Sequence, residues 1–131
     1  MHILLVEDSA GEAESTLRAL RETRPENHLH WVKDGAEALD FLFCSGAYAG
    51  RDAGDEPALV LLDIKMPRID GIEVLRRVKG SPLRAIPVVV MTSSAEERGV
   101  LQSYRLGASA YLMKPVQSEA VAEVLSKLRL S

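Results

Sequence analysis

Ala58-Leu59-Val60-Leu61-Leu62-Asp63 decides the fold: five apolar residues in unbroken succession, and then an acid. So short and continuous a run reads as a strand covered on both faces, the habit of parallel sheets. Near the start of the chain Ile3-Leu4-Leu5-Val6 has the same form and ends on Glu7-Asp8. Two strands that both deliver carboxylates at their carboxyl ends place those acids where open α/β sheets bind ligands. Outward from these runs, short apolar segments alternate with longer amphipathic ones, which predicts a parallel sheet with crossover helices. Strands are expected over 2–6, 29–32, 59–62, 87–91 and 110–113. Helices are expected over 11–23, 35–43, 72–79, 96–106 and 118–130.

The 131 residues, 47% hydrophobic and 27% charged, suffice for one globular domain with a real core. A net charge of −3 without a basic stripe excludes a non-specific nucleic-acid binder. The one cysteine, Cys44, excludes an internal disulfide and is expected to be a small buried hydrophobe near a helix end. No leader pattern or membrane-length apolar window is present, so a cytoplasmic protein with no membrane contact is expected.

The last helix is the clearest, with Val121, Val124, Leu125 and Leu128 on one face and Ser118 as its expected N-cap. In the first helix Ala13, Leu17 and Leu20 are expected inward. Gly35 and Gly71 each follow an aspartate, and Gly107 stands where a left-handed cap would end the fourth helix. Residues 44–57 lack periodicity and read as a long surface insertion. His28 and His30 flank Leu29 at strand alternation and are expected on a solvated face.

Glu7, Asp8 and Asp63 at neighbouring strand ends repel one another, by roughly 4 kcal/mol for a pair at ~4 Å and an effective dielectric of 20. Hard oxygen donors with room for water suit Mg²⁺, with Mn²⁺ able to substitute. Glu7 and Asp8 alone serve equally well as caps for the helix that follows. Asp63 tips the balance, because an acid ending a fully apolar strand is harder to explain as a cap. Thr92 and Lys114 end two further apolar runs, so a hydroxyl and an ammonium join the acids at one sheet edge. Such a set holds a divalent ion and a phosphoryl group.

Glu7-Asp8, Asp63-Ile-Lys-Met-Pro with Asp70-Gly71, Thr92, and Tyr111-Leu112-Met113-Lys114-Pro115 together resemble a response-regulator receiver domain across nearly the whole chain. The resemblance implies a flavodoxin-like, doubly wound (βα)5 three-layer sandwich with strand order 2-1-3-4-5, residues 1–131 forming one receiver domain without an output domain. It implies that Asp63 is the nucleophile that takes a phosphoryl group from a sensor histidine kinase. Glu7, Asp8, Asp63 and the backbone carbonyl of Lys65 would hold Mg²⁺, while Thr92 and Lys114 would bind the phosphoryl group. The Lys114–Pro115 bond is expected to be cis, and Tyr111 resembles the switch aromatic that follows Thr92. Lys65 and Ser94 occupy positions that tune phosphate lifetime. The implied dimer or partner face lies on the fourth helix, fifth strand and fifth helix, where Val100, Leu101 and Tyr104 would expose apolar area. The insertion and Leu83-Arg84-Ala85-Ile86-Pro87 look similar to single-domain regulators paired with bacterial phytochrome kinases. Such a protein promotes its own phosphorylation and dephosphorylation but is primarily a switch.

Three other readings compete. A receiver-like module that never takes phosphate has no need of all five site residues. A phosphatase of the haloacid-dehalogenase type needs an aspartate where Lys65 stands. A dinucleotide carrier needs a Gly-x-Gly-x-x-Gly that does not follow the first strand.

Overall fold

Strand β3 (Leu59–Asp63) is buried along its whole length, as a run apolar on both faces requires. In the computed structural model, which describes residues 1–93 and 98–130, it is central to a sheet with β1 (His2–Val6), β2 (His28–Val32), β4 (Val88–Thr92) and β5 (Ala110–Met113). Every pairing is parallel and the order is β2-β1-β3-β4-β5. Helices α1 (Ala10–Thr23), α2 (Gly35–Leu42), α3 (Gly71–Lys79), α4 (Arg98–Arg105) and α5 (Ser118–Lys127) complete the expected flavodoxin-like arrangement.

Parity along the strands divides the core. Leu4, Val6, Val60, Leu62 and Val90 pack with Leu39, Leu42, Leu75 and Val78 of α2 and α3. Ile3, Leu5, Leu61 and Met91 pack with Ala13 and Leu20 of α1 and Val121 and Leu125 of α5. A helix–sheet–helix sandwich follows. Val100 of α4 belongs to the first of these clusters, which corrects its expected place on an exposed face. No helix among the described residues is long and apolar enough to cross a membrane.

The strands β3 and β4 each run one residue beyond their apolar stretch. Asp63 still pairs with Met91, and Thr92 with Met113, so both polar side chains stand on ladder backbone rather than on loops. Ser9, Asp34 and Asp70 cap α1, α2 and α3 by accepting the N–H of Glu12, Glu37 and Glu73. Ser118 does not cap α5: it is the first helical residue, Gln117 takes the cap position, and the Ser118 carbonyl accepts the Thr23 hydroxyl at 3.2 Å instead. The same helix stops short of residue 130 because Arg129 turns left-handed (φ 58°) and Leu130 N–H returns to the Leu125 carbonyl at 2.8 Å.

The long connection after α2 lies on the surface, as expected, and is anchored there by side-chain contacts. Gly46–Tyr48 forms a 3-10 turn that sets the Tyr48 ring edge-on to Phe41, and its hydroxyl donates to Glu37 Oε2 at 2.6 Å. Arg51 lies 4.3 Å over the Phe41 ring and donates to the Phe41 carbonyl at 2.9 Å. His30 joins this cluster with its ring 4.5 Å from Phe41 and is half-buried, which corrects the solvated-face reading; His28 is exposed. Cys44 is half-buried rather than buried, and its φ of 54° turns the chain away from α2.

Candidate functional site

Each functional side chain is fixed by backbone contacts its own strand makes. Glu7 leaves β1 with its N–H on the Val32 carbonyl at 3.1 Å, while its carbonyl accepts the Trp31 indole N–H at 2.7 Å. Asp63 ends β3, and its Oδ1 accepts the Lys65 N–H at 3.2 Å. Gly71 lets α3 approach this strand end, since a Cβ there would lie 2.2 Å from the Asp63 carbonyl oxygen. Lys114 follows β5 with its N–H on the Thr92 carbonyl at 2.8 Å, and its peptide bond to Pro115 is cis.

These anchors bring one ammonium among three carboxylates. Lys114 Nζ lies 2.8 Å from Glu7 Oε1, 3.2 Å from Asp63 Oδ2 and 2.9 Å from Glu12 Oε2. Glu7 is fully buried, and Asp63 and Thr92 are nearly so. Burial pushes the Glu7 carboxyl from an ordinary 4.5 up to about 7, against the opposing pull of Lys114. Burial raises Asp63 as well, with its bonds to Glu7 and Lys114 acting in the other direction. Burial would lower the Lys114 ammonium, but its bonds to Glu7 and Glu12 and the Asp63 charge outweigh that and hold it above the usual lysine range.

Asp8, Asp63, Lys65, Thr92 and Lys114 line a cavity of about 290 Å³ together with Ser9, Glu12 and Ser93. Glu7 forms part of the charge cluster beneath it. Ser94 lies outside the described residues. Tyr111 stands apart, more than a third exposed, its ring edge-on to Tyr104 at 6.3 Å. Asp8 is on the cavity wall, whereas among the described residues the acids that converge within 4.8 Å are Glu7, Glu12 and Asp63.

Glu12 joins this cluster from outside the set expected from the sequence. Its signal is the spacing Ser9-x-x-Glu12, a capping box in which the glutamate would reach back to the serine N–H. Only half of that box forms. Ser9 Oγ accepts the Glu12 N–H at 3.3 Å, but the Ser9 N–H donates to Glu7 Oε2 at 3.2 Å, which leaves the Glu12 carboxylate to Lys114. As for a cation, Glu7 Oε1 is ion-paired with Lys114 yet buried without an aligned hydrogen bond. An all-oxygen acid set with such an atom at its base fits a hard divalent ion.

Comparison with known proteins agrees with this geometry. Residues 3–126 match the family profile described as response regulator receiver domain. The structure of the bacteriophytochrome response regulator AtBRR is similar at a TM-score of 0.89 and 46% identity, covering 99% of this chain and 93% of that one. Response regulator Rcp1 of Synechocystis sp. is 40% identical over 86% of this chain and 75% of its own. Its Mn(2+)-bound form superposes with a TM-score of 0.81 at 36% identity, covering 95% of this chain and 91% of that one. The phosphorylated cyanobacterial phytochrome response regulator RcpA is 32% identical with a TM-score of 0.80, over 98% of this chain and 90% of that one.

Proposed function

The chain belongs to the response regulator receiver domain family, and from that membership we propose that Asp63 accepts a phosphoryl group from a sensor histidine kinase. The observation that carries this reading is the Lys114 ammonium held between a buried Glu7 and a strand-end Asp63 in a cavity open to solvent. Burial raises Asp63, and the Lys114 ammonium works against that rise and so favours the ionised nucleophile. The Lys65 N–H on Oδ1 fixes the plane of the carboxylate. An Asp63 oxygen forms its bond to phosphorus as the bond from phosphorus to the kinase imidazole breaks. Thr92 and Lys114 then donate to the phosphoryl oxygens. Positioning and charge stabilisation account for most of such a reaction. Glu7, Asp8, Asp63 and the Lys65 carbonyl would hold Mg²⁺, or Mn²⁺ in its place, which when bound neutralises phosphoryl oxygens.

The similarity to regulators named for phytochromes supports a bacteriophytochrome-type kinase as the phosphodonor. Residues 1–131 act as one receiver unit in the cytoplasm. Thr92 and Tyr111 form the switch pair, and Lys65 and Ser94 set phosphate lifetime. The readout is the α4-β5-α5 face, where Leu101, Tyr104, Tyr111 and Met113 leave apolar area exposed for a second copy or a protein target.

The test is incubation with acetyl phosphate and Mg²⁺ followed by intact mass measurement, beside Asp63→Asn and an EDTA control. One phosphoryl adduct on the parent protein, absent from both controls, is expected. An adduct on Asp63→Asn, or none on the metal-supplied parent, would overturn the reading in favour of a constitutive binding module or another phosphoacceptor.

A further inference from the structure

Lys114 has one partner that the proposed phosphoryl chemistry does not call for. Glu7 and Asp63 are buried acids at strand ends, but Glu12 belongs to the first turn of α1 and its side chain is 52% exposed. It nonetheless places Oε2 2.9 Å from Lys114 Nζ, against 2.8 Å for Glu7. Its backbone is held by Ser9 while its carboxylate is released from the capping box by Glu7, so the side chain alone is able to swing. Glu12 also stands between two cavities. It lines the one that contains Asp63 and Thr92, and it lines a second of about 250 Å³, on the Ser15, Thr16 and Val116 side, whose wall also includes Lys114 and Ser93. A carboxylate that leaves Lys114 therefore has space and solvent to move into.

We propose that Glu12 is a positioning residue that holds Lys114 in the unphosphorylated protein and gives it up to the phosphoryl group. Three carboxylates share one ammonium before phosphorylation. A phosphoryl group on Asp63 brings about −1.5 to −2 charges to the same ammonium; Glu7 and Asp63 are buried and also accept the Ser9 and Lys65 N–H, whereas Glu12 is exposed and its carboxylate has no second partner among the described residues. Glu12 thus competes with the incoming phosphoryl oxygens for Lys114, and its charge faces the route by which an anionic donor enters. Its effect falls on the rate of phosphorylation. Once Glu12 has swung away, loss of phosphate no longer involves it.

This inference rests on Asp63 being the phosphoacceptor. The experiment follows phosphorylation by acetyl phosphate in Mg²⁺ by intact mass, and then dephosphorylation after donor removal, for the parent, Glu12→Gln and Glu14→Gln. Glu14 is the control: it removes the same charge from the same helix, but its partner is Arg18 and it does not touch the site. Glu12→Gln is expected to be phosphorylated roughly two- to fivefold faster, the scale of coupling for a partly exposed ion pair, with the gain shrinking in high salt and the phosphate lifetime unchanged. Glu14→Gln is expected to match the parent. A Glu12→Gln protein that is phosphorylated at the parent rate would overturn the inference while leaving Asp63 as acceptor. A slower reaction that needs more Mg²⁺ would also overturn it, by making Glu12 a metal ligand. No adduct on the parent itself would overturn the phosphoacceptor reading and this inference together.

Discussion

At the scale of single residues the site carries an electrostatic cost that pH reveals. Glu7 titrates at about 7 in the fold against an ordinary 4.5, chiefly because it is buried. A carboxyl raised in the folded state keeps its proton while the unfolded chain sheds it, so stability falls as pH rises from 4.5 to 7. Asp63, raised by burial as well, acts with the same sign. His30, lowered by burial, acts with the opposite sign as pH passes its ordinary 6.5, so a variant is needed to separate them. Urea unfolding at about pH 5 and about pH 7.5 is expected to show Glu7→Gln losing most of the downward slope and gaining up to about 3 kcal/mol over the parent at the higher pH. A slope identical to the parent would contradict the assignment. Glu7, Asp63, Thr92 and Lys114 were legible in the sequence because each ends an apolar run. Glu12 was not, because its freedom depends on Glu7 taking the Ser9 amide, a contact that exists only once β1 and α1 are folded together.

The elements were legible wherever a single pattern governed them. Continuous apolar runs marked β1, β3, β4 and β5, and alternation marked β2, but the runs understated β3 and β4, since backbone pairing carries past the last apolar side chain onto Asp63 and Thr92. Aspartates before Gly35 and Gly71 marked the starts of α2 and α3. The connection after α2 lies on the surface as its composition suggests, while its order comes from tertiary contacts that no periodicity records. Tyr48 and Arg51 close over Phe41, and His30 is half-buried as a result. Replacing Arg51 by Ala removes the cation over that ring and a donor to the Phe41 carbonyl. A loss of about 1–2 kcal/mol is expected, with faster proteolytic cleavage within residues 49–57 than in the parent. Unchanged stability together with unchanged cleavage would show that the segment is held by something else.

For the whole molecule, the alternation of segments gave the α/β class, while the order 2-1-3-4-5 came from resemblance to a family, since composition and periodicity do not rank strands across a sheet. The topology is what brings the ends of β1, β3, β4 and β5 to a common edge, while Leu101 and Tyr104 of α4 and Tyr111 and Met113 of β5 remain exposed. Leu101 is the most exposed of these at 57%. Size-exclusion chromatography with light scattering, before and after acetyl phosphate treatment, is expected to show a dimer of the phosphorylated parent and a monomer of Leu101→Asp. A Leu101→Asp protein that dimerises like the parent would place the interface elsewhere. The dimer expected here and the Glu12 effect both depend on phosphate residing on one residue. The most direct measurement is therefore to reduce the phosphorylated protein with borohydride, which converts an acyl phosphate to an alcohol, and to locate the altered side chain by peptide mass spectrometry. Reduction confined to Asp63 is the expected result; reduction at Asp8, Glu7 or Glu12, or at no carboxylate, would contradict the account.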